Sequence, residues 1–233
     1  MLKKLFKLLG ILIILAFIGY GVLYYLYNEP VPIGESGPEA DALAYRMLDA
    51  LNYKNFNNTK ILEWSFRGDH HYKWNKEKEI VTVTWDNTIV HLDLITPQSS
   101  IAEVNNVKTN YEETQVLIEK AQNYFNNDSF WLVAPFKAFD RGTERYLVDM
   151  EDGSEALLVT YTKGGDTPGD SYLWIIEPSG RPKSFKLWTK IIPIGGVEAS
   201  WEEWIETESG VILPTLHKLG PFSISMGDVK GTY

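Results

Sequence analysis

Residues 171–190, SYLWIIEPSGRPKSFKLWTK, decide the fold class. They predict two antiparallel strands around the polar turn at 177–182. The second strand alternates in the ordinary way, with Phe185 and Leu187 on one face and polar or charged residues mainly on the other. In the first strand, residues 172–176 (YLWII), both faces are apolar. A half-exposed strand is apolar on one face only, so some other part of the protein must cover the second face.

The rest of the chain repeats this strand-and-turn pattern. About eleven antiparallel strands are predicted, with no alternation of strands and helices, and the turns are marked by Gly164-Gly165, Pro178, Gly180 and Gly210. Apolar residues at helical spacing predict helices over 38–51 and 110–125. So many strands in one sheet must curl. The predicted fold is therefore mainly β (α+β), a strongly curved antiparallel sheet or half-barrel with the two helices on its concave face.

The first 27 residues predict a membrane anchor. Residues 8–26 carry no charge, and as a helix they would span roughly 28 Å. Lys3, Lys4 and Lys7 precede this run, which places the N-terminus in the cytoplasm and the rest outside. We expect a single pass through the inner (cytoplasmic) membrane, with the C-terminal domain in the periplasm or outside. A cleaved signal peptide is the alternative, although Gly19-Tyr20-Gly21 is a poor cleavage site.

The predicted organisation is thus an anchor over 1–27, a linker over 28–37 and one extracytoplasmic domain over 38–233. The linker, NEPVPIGESG, is rich in Pro and Gly and is typical of a spacer. The 233-residue length suits one domain with a substantial core rather than two.

Composition excludes several classes of function. The chain has no cysteine, which rules out disulfides, thiol catalysis, cysteine metal sites and a lipobox. Three of the 22 basic residues are the N-terminal lysines. The rest of the chain has 19 basic and 31 acidic residues, which gives it a net charge of −12. Such a domain repels phosphate backbones, so no nucleic-acid partner is expected.

Three segments resemble the bacterial periplasmic lipoprotein-carrier and outer-membrane lipoprotein-sorting superfamily. They are 127–132 (NDSFWL) after a helix, the hairpin 172–182 (YLWIIEPSGRP), and 210–215 (GVILPT) near the end. The resemblance covers about residues 38–230 and implies a half-barrel whose concave face, plugged by helices, holds acyl chains. Soluble carriers shuttle, whereas an anchored protein cannot. The resemblance therefore implies lipid or lipoprotein binding at the membrane, and no single residue is carried over from the family.

Large apolar side chains that share one parity within their strands are the candidates for the inner face. The predicted ligand-binding residues are Trp64, Phe66, Tyr72, Trp74, Val83, Trp85, Trp174 and Leu187. They predict a non-enzymatic protein that binds lipid acyl chains or lipidated protein in its cavity. The open alternative is a structural or protein-interaction domain in which the same side chains are ordinary core.

A polar cluster leaves a weaker alternative, a metal-dependent hydrolase. His91 and Asp93 point the same way on a strand, and His70 or His71 could join them from a neighbouring strand. No third ligand has a diagnostic spacing, and no nucleophile, nucleotide or dinucleotide motif is present. We therefore expect no enzyme activity, no bound metal and no cofactor.

Overall fold

The computed structural model describes residues 2–163 and 168–233, so the turn predicted at Gly164-Gly165 lies outside it. These residues form four α-helices: α1 (Leu2–Tyr27), α2 (Pro38–Ala50), α3 (Tyr53–Asn58) and α4 (Tyr111–Val133). The strands are β1 (Ile61–Phe66), β2 (His70–Asn75), β3 (Ile80–Trp85), β4 (Thr88–Asp93), β5 (Ile101–Val104), β6 (Val107–Lys108), β7 (Thr143–Asp149), β8 (Glu155–Tyr161), β9 (Ser171–Ile176), β10 (Pro182–Trp188), β11 (Val197–Ser200), β12 (Ile205–Glu206), β13 (Ile212–Leu213), β14 (Leu216–Leu219), β15 (Phe222–Ser225) and β16 (Lys230–Thr232).

Two antiparallel sheets of seven strands make up most of the domain. Sheet I has the order β16-β1-β2-β3-β4-β5-β6, and sheet II has the order β15-β14-β11-β10-β9-β8-β7. β12 and β13 form a small separate pair. The mainly β, antiparallel fold with helices is therefore confirmed. The outermost strands of each sheet remain edges, and the sheets do not close into a barrel.

The strand count differs from the prediction, because the described residues hold sixteen strands in three sheets rather than about eleven in one. The difference arises largely near the C-terminus, where residues 197–232 form six short strands, β11 to β16, in place of longer ones. Glu203 has a left-handed backbone with φ 53°, and Gly227 has φ 63°. Pro214 lies between β13 and β14 and has no N–H to donate to a sheet.

The C-terminal segment links the two sheets. β15 belongs to sheet II and β16 to sheet I. Between them, Ser65 N donates to Met226 O at 3.0 Å, and Arg67 N donates to Ser225 O at 2.8 Å. The end of the chain therefore hydrogen-bonds to β1 while it leaves sheet II, which gives the sheets a continuous backbone connection.

The core lies between the sheets and the helices. One apolar cluster joins sheet I to α4, and a second joins sheet II to α2 through Leu43, Ala44 and Met47. Trp131 and Trp204 pack against both clusters. The interior of the domain is therefore filled by its own helices.

The second, outer face of β9 is also covered by other parts of the chain. Leu173 lies in a small cluster with Val148, Ala156 and Leu158 on the side of sheet II away from α2. Residues 28–37, predicted as a spacer, run across this outer face, and we call them the strap. Pro30 and Pro32 of the strap line a groove there together with Leu173.

Hydrogen bonds fix the strap at both of its ends. Near its start, Trp188 Nε1 donates to Glu29 O at 2.7 Å, and Lys186 Nζ lies 2.7 Å from the Glu29 carboxylate. Near its end, Glu35 and Leu147 of the edge strand β7 exchange two backbone hydrogen bonds of 2.8 Å. The chain then enters α2 on the inner face, so it wraps around the β7 edge of sheet II.

Gly34→Ala tests the docking of the strap. A Cβ at Gly34 would lie 2.6 Å from Leu147 O and 2.9 Å from Tyr146 Cβ. We expect the free energy of unfolding to fall by about 1–3 kcal/mol, because the strap must move off the sheet. Denaturant unfolding of the full chain in detergent measures it. Gly21→Ala in α1, where a Cβ meets nothing within 4 Å, is the matched control; equal stability of the two variants would contradict a docked strap.

Candidate functional site

The structure divides the predicted ligand-binding residues between two places. Six of them lie in the cluster of sheet I that faces α4: Trp64, Phe66, Tyr72, Trp74, Val83 and Trp85. Trp174 and Leu187 lie in the cluster of sheet II that faces α2. All except Phe66 and Trp74 are buried, and those two are partly buried. The six residues of sheet I form the more compact set.

Two consecutive side chains of α4 enter that set. The Phe125 ring lies 5.3 Å from Trp74, 6.2 Å from Trp64 and 6.3 Å from Tyr72, between ring centroids. The Tyr124 ring lies 5.5 Å from Trp85. We call this set of six rings the aromatic chamber. The Phe125 ring contacts three of the other five and lies against the residues that the sequence predicts to bind an apolar ligand.

Helical spacing explains why α4 presents Phe125 to the chamber. The helix begins at the cap Asn110, whose Oδ1 accepts from Glu113 N at 3.0 Å. Its buried apolar residues Ile118, Ala121, Phe125 and Leu132 recur at intervals of three, four and seven, which places them on one face.

One acid, Asp128, lies on this apolar face. Its side chain is 2% exposed. Asp128 Oδ2 accepts from Tyr72 OH at 2.5 Å and lies 2.7 Å from His70 Nδ1, while Oδ1 accepts from Asn127 Nδ2 at 2.8 Å. Burial, and then the neighbouring Asp128 carboxylate, raise the pKa of Tyr72 far above its usual range. Tyr72 thus stays a phenol donor, and the pair joins α4 to β2.

Two hydrogen-bond donors in the chamber have no acceptor. Trp64 Nε1 and Trp74 Nε1 are buried, and neither has a hydrogen-bond partner among the described residues. A buried donor without a partner costs on the order of 1–3 kcal/mol. Trp64 and Trp74 therefore present two indole donors that α4 does not satisfy.

The residues of the predicted metal cluster do not come together. His70 points inward, and its ring stacks on Tyr124 at 3.8 Å. His71, next on β2, is exposed, and His91 on β4 hydrogen-bonds to Thr82 at 3.0 Å. Asp93 accepts from Ile95 N and Thr96 N in its own turn. Among residues 2–163 and 168–233, no group of three His, Asp or Glu side chains could hold a metal ion.

A surface groove of about 410 Å³ lies apart from the chamber. It is lined by aromatic and charged side chains, including Trp201, Trp204, Glu198 and Glu202. The carboxylates are already engaged: Glu198 accepts from Ser184 Oγ at 2.5 Å, and Lys218 Nζ lies 2.7 Å from Glu202. Hydrogen bonds from Lys218 and Ser200 lower the pKa of Glu202.

A buried histidine lies between the two clusters. His217 is fully buried, with ring centroids 4.5 Å from Trp201 and 5.3 Å from Trp131. Its Nδ1 donates to Ser200 O at 2.9 Å. Burial lowers the pKa of His217 to about 4, so the ring is neutral near pH 7.

Sequence reasoning missed the contribution of α4 to the chamber. The helix was predicted only to residue 125, which left Asp128 outside it, although it continues to Val133. The available signal was Asp128 itself, three residues after Phe125 and four before Leu132. A single acid at those intervals from apolar residues lies on the buried face and needs a partner there.

Comparison of the chain with models of known protein families found no match. A comparison with curated proteins found no match either. What the chamber does is therefore inferred from its own residues.

Tyr72→Phe tests the link between α4 and β2. The change leaves Asp128 short of one donor, and we expect a loss of about 1.5–3 kcal/mol in the free energy of unfolding. A double-mutant cycle with Asp128→Ala should show coupling between the two sites. The control is Tyr146→Phe, since Tyr146 OH donates to Glu144 at 2.6 Å on the exposed side of β7. An equal loss at both tyrosines would contradict a special role of the buried pair.

His217 predicts a pH dependence of stability. The folded pKa of about 4 lies below the unfolded value of 6.5, so the unfolded chain binds more protons between those pH values. The stabilisation is complete above pH 6.5 and is lost as the pH falls toward 4, by on the order of 3 kcal/mol. Unfolding of His217→Gln from pH 4 to 8 should lack this slope. The exposed His71→Gln should keep it, and an unchanged slope in His217→Gln would contradict the assignment.

Proposed function

We propose that the chain is a single-pass protein of the inner (cytoplasmic) membrane whose domain, in the periplasm or outside, binds acyl chains. The ligand is a lipid or a lipidated protein, and binding involves no chemical reaction. The connected sheets act as a half-barrel, and the acyl chain enters the aromatic chamber when α4 moves outward. The observation that carries this proposal is the pair of unsatisfied indole donors, Trp64 Nε1 and Trp74 Nε1, around Phe125.

The donors favour a ligand with an oxygen beside its hydrocarbon. Each buried N–H group without an acceptor opposes folding, and the chamber holds two of them, whereas the cluster of sheet II holds one, Trp201 Nε1. An ester carbonyl or a carboxylate next to an acyl chain would accept from the indoles, while the chain itself would replace the Phe125 ring against the aromatic walls.

The first turns of α4 are attached only weakly, which supports its movement. Residues 111–117 include no buried side chain, and Tyr111 and Val116 are largely exposed. The polar link through Asp128 lies further along, near the chamber. Phe125 lies between these weakly attached turns and the link at Asp128, so an acyl ligand would need to displace the Phe125 ring together with the turns before it.

Two further points agree with acyl-chain binding. A helix at Phe6–Tyr27 is long and apolar enough to span a membrane, which would hold the domain beside a source of lipid. The resemblance to the lipoprotein-carrier superfamily also implies a helix-plugged, acyl-binding half-barrel, and this proposal includes that resemblance.

A second candidate function is a protein-interaction domain with a permanently packed core. The observation in its favour is the burial of Trp64, Tyr72 and Trp85 against α4. In this case α4 stays in place, and partners bind the outer surface.

Photocrosslinking separates the two candidates. The full chain is placed in nanodiscs that contain a phospholipid with a diazirine in its acyl chain, irradiated and mapped by mass spectrometry. We expect crosslinks within residues 61–75 and more of them in Phe125→Ala, because its smaller side chain competes less for the chamber. Crosslinks confined to α1 and surface loops would contradict acyl binding and favour the packed core.

Phe185→Ala is the matched control. Phe185 is also buried but packs against Trp174 and Trp201 in the cluster of sheet II. Both changes remove a buried phenyl ring and should destabilise by about 3–5 kcal/mol. A gain of crosslinks in both variants would show that the cause is loosened structure, not the chamber.

A further inference from the structure

The exit of the anchor is fixed against one particular loop of the domain. α1 ends at Tyr27, and the next residue, Asn28, accepts from Gly195 N through its Oδ1 at 2.8 Å. Glu29 N then donates to Gly195 O at 3.0 Å. Gly195 belongs to the loop 189–196 between β10 and β11. No linker residues separate α1 from the first contact with the domain, so this loop lies where the chain would leave the membrane.

Dimensions place the loop at the headgroups. The candidate span Phe6–Tyr27 has 22 residues, or about 33 Å of helix, against a hydrocarbon core of about 30 Å. Tyr27 therefore lies near the boundary of the hydrocarbon. The polar headgroup layer beyond it is roughly 5–8 Å thick. Ile191 precedes Gly195 by four residues and is at most about 14 Å away along the chain.

Strand register shows which end of sheet II faces the anchor. Trp188 pairs with Ser171, and its indole bonds to Glu29 at the strap's start. Ser171 pairs with Thr160, and Thr160 pairs with Glu144, so these residues form one row across the sheet. Loops beyond this row lie at the anchor end, and loops beyond the other ends of the same strands lie at the far end.

The two ends differ in chemistry. Beyond the row, the exposed side chains include two large apolar and three basic ones, Arg141, Lys163, Lys190, Ile191 and Phe222, and one acid, Asp140, which pairs with Lys137. Ile191 is 74% exposed and Phe222 is 66% exposed. The charged residues at the far end include Glu151, Asp152, Glu177, Arg181, Lys183, Glu202 and Glu203. A domain of net charge −12 thus keeps bases and exposed apolar groups together at the end nearest the anchor.

We propose that this anchor end of sheet II is a membrane-contact surface, whose partner is the lipid bilayer into which α1 is inserted. Ile191 and Phe222 enter the headgroup layer, and Arg141, Lys163 and Lys190 lie at the level of the lipid phosphates. Trp188 and Tyr27 match the aromatic side chains that concentrate at membrane interfaces. The domain is then held in one orientation on the membrane, with its acidic end outward. This inference rests on the proposed insertion of α1 in the membrane, but not on what the chamber binds.

Fluorescent labels test the contact, since the chain has no native cysteine. Ile191→Cys and Phe222→Cys are each labelled with NBD in the full chain and reconstituted into phosphatidylcholine vesicles with and without phosphatidylglycerol. Ser179→Cys, in the exposed turn before β10 at the far end, is the matched control. We expect blue-shifted emission at 191 and 222 that nitroxide-labelled lipids quench severalfold more than at 179.

Several other outcomes would contradict the membrane contact. Emission and quenching at 191 and 222 equal to those at 179 would overturn the proposal. A blue shift without quenching by lipid would overturn it too, because the label would then be buried in protein. Ile191→Asp in the chain labelled at 222 should reduce the quenching at 222, and unchanged quenching would show that Ile191 is not part of the contact.

Discussion

The burial of both faces of β9 is the constraint on which the rest of the structure depends. Its inner face packs through Trp174 against α2, and its outer face, through Leu173, needs a separate cover. The chain provides both covers from one continuous segment, the strap followed by α2. Because the two covers lie on opposite faces, that segment must pass around an edge of sheet II, and it does so at β7. The position of the anchor relative to the sheet follows from this path.

The two apolar clusters of the interior differ in their balance between apolar packing and hydrogen bonding. In sheet II the second cluster is dominated by apolar contacts around Phe185 and Trp174, and one indole donor there, Trp201 Nε1, lacks an acceptor. In sheet I the chamber contains Asp128 with its three partners and two indole N–H groups that lack acceptors. Buried polar groups restrict a helix to one position only when all of them are satisfied. The two unpaired donors beside Phe125 are the feature on which the proposal of acyl-chain binding rests.

The proposed membrane contact and the proposed acyl-chain binding are compatible with each other. An acyl ligand taken from a bilayer has the shortest path when the domain rests on that bilayer. The exposed Ile191 and Phe222 would be a liability on a freely soluble surface, where apolar groups favour association. In the proposed membrane contact, the bilayer beside the exit of α1 would cover them. The strap, by keeping Asn28 and Glu29 on the loop at Gly195, prevents the domain from rotating away.

The sequence by itself determined the apolar N-terminal helix, the antiparallel β class and the aromatic parity of β1–β3, because these depend on local composition and on spacing of two or 3.6 residues. It also showed that β9 needed a second cover. Only the tertiary structure decided that the strap is this cover, since Pro30 and Pro32 carry no periodic signal and their contacts are more than 100 residues away. The same holds for Phe125 and Asp128, whose partners Trp74 and Tyr72 are distant in sequence. Contacts of this kind depend on how the sheets and helices assemble, which no local pattern records.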